Sequence, residues 1–250
     1  MKIEWVVVEK NESLIIPWVI QYWKRLREVV DLKVKCFDNY STDSSVELLS
    51  KEHWIEINYF KTDGLNDAVN QQIKNDAWKG TDADWVVCSD FDEIIFGDLV
   101  GVIHDADASG ASIIALPWYT LVDDSKPQYD EGKLLHELTD KWVKHESYGK
   151  YLIFNPKKIK EINYSPGAHH INPIPSDIKI YNSEKAIILH VNKGFGAEFK
   201  ANAYHQGYKN FSDTNLKNRW GWHYNLPSEK IIEEYREMQK NAVSLKKIYK

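Results

Sequence analysis

The segment Ser89-Asp90-Phe91-Asp92-Glu93 packs three carboxylates, Asp90, Asp92 and Glu93, into four positions directly after the apolar run Trp85 to Cys88. Like charges this close repel unless a cation or hydrogen-bond donors meet them, so the segment needs a partner. Side chains of extended backbone repeat every two residues, which sets Asp90 and Asp92 on one side and Glu93 elsewhere, where it can orient its neighbours. Two carboxylates on one side make a hard-oxygen donor set for Mg²⁺ or Mn²⁺, ions that act as Lewis acids on phosphate oxygens. The competing reading is a solvated acidic loop that caps the helix near Leu99.

Other residues gather into a few clusters. Glu9, Asn11 and Glu12 lie in the turn "EKNES", and Asp38 opens the turn "DNYSTDSS", where an Asx turn is the plain alternative for it. His190 and Lys193 follow an apolar run in "AIILHVNKG". His169 and His170 are adjacent in "GAHH", so in extended chain they point opposite ways, and without a cysteine they make a poor zinc site. Trp118 and Tyr119 open the aromatic and polar stretch "PWYTLVDDSKPQYDEGK". The carboxylates Asp123, Asp124, Glu137 and Glu146 lie in and beyond it.

The elements that must position these groups alternate. Ile3 to Val8 is a continuous β-branched and aromatic run, the pattern of a strand covered on both faces; Leu32 to Phe37 and the apolar run Trp85 to Cys88 read as the second and fourth strands, and Ile55, Ile57 and Tyr59 alternate as the third. Helical spacing links Ile15, Trp18, Val19, Tyr22, Leu26 and Val29 after a Ser13 cap, and Ala68, Val69, Ile73 and Ala77 later on. Ser44 with Glu47 has the pattern of a capping box that opens a short helix through Leu49. The order predicts an α/β fold: a mostly parallel sheet with helices on both faces, in which ligands bind beyond the carboxyl ends of the strands. The turns "EKNES", "DNYSTDSS" and "SDFDE" all leave such ends and should converge on one crevice. Further strands are expected at Ala111 to Leu116, Tyr151 to Phe154 and Ala186 to Val191. A last helix capped by Ser228 is expected to carry Ile231, Tyr235, Met238, Ala242 and Leu245.

Composition sets limits on function. The chain has 250 residues, 43% of them hydrophobic, and a net charge of −5 with its basic residues dispersed, which argues against nucleic-acid binding. No run approaches the roughly 20 apolar residues of a membrane span, and a cytoplasmic protein is expected. Cys36 and Cys88 read as buried thiols. If the first strand lies between the second and fourth, they stand two strand spacings apart and cannot form a disulfide.

The early strand followed by "KNE", then "DNYSTDSS", then "SDFDE" resembles the donor half of GT-A fold glycosyltransferases, particularly the family 2-like group; "GKYLIFNP", "GAHH" and "LHVNKG" resemble later landmarks of that group. The resemblance implies a Rossmann-like donor half over residues 1–100, an acceptor half over 101–227 and a C-terminal helix over 228–250. It implies a hexosyltransferase-type enzyme that moves sugar from a nucleotide diphosphate, a UDP-sugar by preference, to a carbohydrate acceptor with Mn²⁺ or Mg²⁺ as cofactor. Asp92 would ligate the metal, Asp90 would contact metal-bound water or the ribose hydroxyls, and His190 would complete the metal site. Asp38 would accept from uracil N3–H, while Glu9, Asn11 and Lys193 would line the donor. For inversion a base is needed near the acceptor, and Asp124 and Glu137 flank the aromatic stretch whose rings suit a sugar. A noncatalytic domain with a degenerate donor site is the alternative. A sugar nucleotidyltransferase would need a glycine-rich loop that "EKNES" lacks, and a haloacid-dehalogenase-like phosphatase would carry its acidic pair after the first strand.

Overall fold

The apolar run near the N-terminus forms the centre of a sheet in a computed structural model that describes residues 1–146 and 150–247. This strand, β1 (Lys2–Glu9), is followed by α1 (Ile16–Arg27), β2 (Asp31–Asp38), α2 (Ser45–Ser50), β3 (Ile55–Tyr59), α3 (Asp67–Asp76) and β4 (Trp85–Asp90). Next come β5 (Glu93–Gly97), α4 (Leu99–Ser109), β6 (Ile113–Ala115), β7 (Trp118–Leu121), α5 (Leu135–Leu138), β8 (Trp142–Lys144) and β9 (Ile153–Phe154). The chain continues through β10 (Ile180–Asn182), β11 (Ala186–His190), α6 (Ala197–Lys209), α7 (Asp213–Asn218) and α8 (Ser228–Gln239).

The strands form two sheets. A seven-stranded sheet has the order β10-β6-β9-β4-β1-β2-β3, and a four-stranded sheet has the order β5-β11-β7-β8. In the larger sheet β1, β2, β3 and β4 run parallel, and β9 is antiparallel to both β4 and β6. As expected, β1 lies between β2 and β4. Val7 pairs with Cys36 and Val6 with Cys88, and the two thiols enter different apolar clusters on opposite faces of the sheet, so both stay free. Edge-on packing of Trp5 against Trp23, with centroids 5.8 Å apart, fastens α1 to one face, and Trp78 beyond α3 packs edge-on against Phe154 on the other.

Phe91 and Asp92 form the junction between the sheets, since β4 ends at Asp90 and β5 begins at Glu93. β11 does not join the first sheet; it pairs antiparallel with β5, which sets His190 opposite Glu93. The sheets do not divide the chain at residue 100, because β6, β9 and β10 return to the larger one.

Several local expectations are corrected. Ser13 does not cap α1; its N–H donates to Asp43 Oδ2 at 3.1 Å, and the helix begins after Ile15. Val29 is 66% exposed because α1 ends two residues earlier. Ser44 precedes α2 at φ −80° and ψ 11°, away from the extended geometry a capping hydroxyl requires, and makes no cap bond. Ser228 lies inside α8, which Pro227 precedes, and that helix stops at Gln239, leaving buried Leu245 in a separate turn. Helices α5, α6 and α7 are additions to the expected set. No helix among the described residues is long and apolar enough to cross a membrane.

Candidate active site

The three acidic and polar turns meet at the carboxyl ends of β1, β2 and β4, around a cleft of about 700 Å³. Hydrogen bonds tie the first two turns together. Asn11 N donates to Ser41 Oγ at 2.8 Å, Asn11 Oδ1 accepts from Thr42 N at 2.7 Å, and Glu12 N donates to Ser45 Oγ at 2.9 Å. Asn11 is thus spent on joining turns and does not line the cleft. The turn after β11 closes the ring: Asn192 N donates to Asp92 Oδ2 at 3.1 Å, and Lys193 forms an ion pair with Glu12.

Lysines from this chain meet the carboxylates of the acidic segment. Lys74 of α3, itself buried, donates to Asp90 Oδ1 at 2.7 Å. Burial alone would raise Asp90, but the Lys74 and Lys150 ammonium groups outweigh it and hold the carboxyl below its usual range. Glu93 is buried, accepts from Asp90 N at 2.9 Å and pairs with Lys150, so it orients the segment as expected. Lys150 is pushed down to about 8 by burial, against the pull of Asp90 and Asp92.

Asp92 and His190 stand apart from these pairs. His190 Nε2 lies 3.6 Å from Asp92 Oδ2, longer than a hydrogen bond. Two ligands on one ion, each at about 2.1 Å, lie about 3.0–3.6 Å apart, so the spacing fits a shared divalent cation. Burial, reinforced by Lys150 and Lys200, holds the imidazole well below its usual pKa, so it is neutral as a ligand must be. His190 Nδ1 is buried and has no hydrogen-bond partner among the described residues. No cluster of three or more His, Cys, Asp or Glu side chains is placed to hold an ion among the described residues. Asp92 and His190 are thus the two polar side chains of the cleft set close enough to share an ion, and Asp90 faces Lys74 instead.

Of the other expected residues, Glu9, Lys193 and His169 line the cleft, as does Trp118, on whose ring His145 stacks at 3.4 Å and 2°. Tyr119, next along β7, is buried in the core because neighbouring strand residues alternate sides. Asp38 is fully buried, with both oxygens 3.0 Å from Ser41 N, and does not reach the cleft. Neither expected base lies on it. Asp124 is bound by Lys141, Gln239 and Arg236, which hold it down at about 2, far from the value a general base needs. Glu137 Oε2 accepts from Leu134 N at 2.6 Å at the start of α5.

Lys200 and Glu234 are among the cleft residues that went unread in the sequence. Lys200 of α6 is 7% exposed, forms no ion pair among the described residues, and lies 5.1 Å from the Tyr204 ring; burial pushes it down to about 8 against the pull of Asp92. Its signal was the spacing Ala197, Lys200, Ala201, Tyr204, a helical stripe in which one buried position is a lysine. Glu234 of α8 lines the cleft and is its one described carboxylate from beyond residue 100.

No family model matches the chain, and no curated protein matches its sequence. Solved structures do. S. aureus TarS superposes on 95% of this chain and 43% of its own length, with 12% identity and a TM-score of 0.50. Its fragment 1–349 covers 95% of this chain and 71% of the fragment, at 14% identity and a TM-score of 0.49. Glucosyl-3-phosphoglycerate synthase from Mycobacterium tuberculosis, solved with Mn²⁺, UDP and phosphoglyceric acid, covers 47% of this chain and 43% of its own, at 18% identity and a TM-score of 0.35. The chain thus spans less than half of TarS, and at such identities the likeness concerns fold. With parallel strands ending on a shared cleft and the superposition on full-length TarS, the chain has a GT-A glycosyltransferase fold.

Proposed function

We propose that this chain transfers a sugar from a nucleotide diphosphate, a UDP-sugar by preference, to a hydroxyl of a carbohydrate acceptor. The observation that carries the reading is the 3.6 Å approach of His190 to Asp92 at the carboxyl edge of the parallel strands, inside a cleft that also holds Lys150, Lys193 and Lys200. Asp92 and His190 would hold Mn²⁺ or Mg²⁺, which when bound supplies Lewis-acid stabilisation of the departing phosphate. The residues of the chain supply the rest. Lys150 and Lys200, each near pKa 8, remain mostly ammonium at neutral pH and offset the charge that grows on the diphosphate as the sugar leaves. Trp118 lies along the cleft where a sugar ring would pass, and Glu234 of α8, the one described cleft carboxylate from beyond residue 100, is the group to take the proton of the attacking hydroxyl.

A screen of UDP-, GDP- and dTDP-sugars for hydrolysis and transfer, with and without Mn²⁺, tests the reading. Release of UDP from at least one donor is the expected result. Tight UDP binding without turnover of any donor would favour a noncatalytic nucleotide-binding domain instead.

A further inference from the structure

Between α7 and α8 the chain reads Arg219-Trp220-Gly221-Trp222-His223-Tyr224-Asn225, with rings at four of the five positions from Trp220 to Tyr224. Two glycines decide how this turn sits. Gly221 has φ +66°, in the left-handed region, and a Cβ there would come within 2.8 Å of Phe211 Cζ. Gly207 of α6 lies against Tyr224, whose Cδ1 would stand 3.2 Å from a Cβ. The close approach lets Tyr224 lie flat on Tyr204 of α6, with centroids 4.2 Å apart and planes at 16°. The turn is pinned from below, so its outer residues are held by backbone rather than by their own burial.

The rings form an inner and an outer set. Trp220, His223 and Tyr224 line the cleft, as does Tyr204. Glu234, the proposed base, lies within electrostatic reach of both Tyr204 and His223. Trp222 is not part of the cleft wall, although the residues on either side of it are. It stands edge-on to His223, at 6.4 Å and 89°, and is 57% exposed. All ten tryptophans of the chain are described, and the other nine are buried or half-buried.

The surroundings of this indole say what covers it. Asn218, Arg219, His223 and Asn225 beside it are exposed and polar. From Asp213 to Ser228 the exposed large apolar side chains are Trp222 and Leu216, far less than the roughly 800 Å² per partner of a stable protein interface. A sugar ring fits such a place: its C–H face stacks on an aromatic ring, and its hydroxyls meet polar groups at the rim.

We infer that Trp222 is a stacking platform for a distal sugar of the acceptor, which is therefore an oligosaccharide chain rather than a single sugar. A sugar seated at Glu234 meets His223 first, and Trp222 lies one ring farther out. A chain of two or more sugars covers both. The place of the platform in transfer rests on the proposed function; the binding of an oligosaccharide does not.

A glycan array of neutral mono- to hexasaccharides is the probe, read with labelled parent protein, Trp222→Ala and Trp222→Phe, each checked by a melting curve. Calorimetry of the best-retained glycan, its monosaccharide and UDP follows. The parent should retain at least one oligosaccharide and bind the monosaccharide at least about tenfold more weakly. Trp222→Ala should weaken the oligosaccharide at least about tenfold, Trp222→Phe should stay within about threefold of the parent, and UDP should shift less than about twofold in both. The melting temperature should hold, because the ring is exposed. Retention of no glycan by the parent, equal affinity for chain and monosaccharide, unchanged oligosaccharide binding in Trp222→Ala, or Trp222→Phe as damaging as Trp222→Ala overturns the platform. So does dimerisation, or sedimentation with phosphatidylglycerol vesicles, that Trp222→Ala abolishes. A parent that binds the oligosaccharide through Trp222 and no nucleotide at all keeps the platform and overturns the donor reading instead.

Discussion

Asp92 and His190 come within 3.6 Å because β11 pairs antiparallel with β5 in the register that places His190 opposite Glu93. One residue belongs to the junction that leaves the parallel sheet, and the other ends a strand of the second sheet. Neither position would be adjacent without the second sheet, so the juxtaposition of Asp92 and His190 is a product of tertiary structure.

Asp92→Asn should keep the fold and abolish Mn²⁺-dependent UDP binding, because a neutral amide is a poor ligand for a hard divalent ion. Asp90→Asn should weaken binding less, since Asp90 already faces Lys74. Calorimetry of UDP at fixed Mn²⁺ checks both, and equal losses in the two variants would contradict the assignment.

Lys200→Met should stabilise the protein and impair its chemistry at once. A buried ammonium that forms no ion pair among the described residues is costly, and removing it should raise unfolding free energy by about 1–3 kcal/mol. Turnover with a UDP-sugar should fall at least about tenfold if Lys200 offsets leaving-group charge. Denaturant melts and initial rates test the two halves separately, and a variant both stable and fully active refutes the role.

Glu234→Gln should lower kcat by about 10²–10⁴-fold with little change in donor affinity, the expected loss for a general base. Unaltered kcat would show that transfer proceeds without this carboxylate.

Glu9 predicts a pH dependence of stability. Its folded value, about 9, lies above the ordinary carboxyl value of 4.5, so the folded state holds the proton more tightly. The unfolded chain loses that proton first, and stability declines as pH rises from about 4.5 toward 9. Glu9→Gln removes this contribution, so its stability advantage over the parent should grow by about 2–4 kcal/mol between pH 5 and pH 8. Urea melts at both pH values measure it; a constant difference would mean that Glu9 is ionised throughout.

The elements that carry the donor side were legible because β1 and β4 are buried on both faces and read as apolar runs, while β2 alternates buried and exposed positions with Leu32, Val34 and Cys36 inward. Asp92 and His190 were legible by the same logic, as polar residues placed where such runs stop. The lysines were not. Lys74 lies on a helix whose apolar stripe drew the reading, and its buried ammonium becomes intelligible only when Asp90 faces it across the fold. Asp124 shows the converse error: beside aromatic residues it resembled a base, but α8 and the Asp140–Lys141 segment bring Arg236, Gln239 and Lys141 onto it. Long-range charge pairing has no sequence period, so composition and spacing do not reveal it.

The lysine partners of the acidic segment bear on the order in which ligands arrive. With Asp90 and Glu93 already paired with Lys74 and Lys150, a divalent metal entering the proposed site alone would meet little net negative charge and gain little. A nucleotide diphosphate brings the missing anionic oxygens with it. The cation and the nucleotide should therefore enter as one chelate, and initial-rate patterns should follow the concentration of the metal–nucleotide complex rather than that of either component.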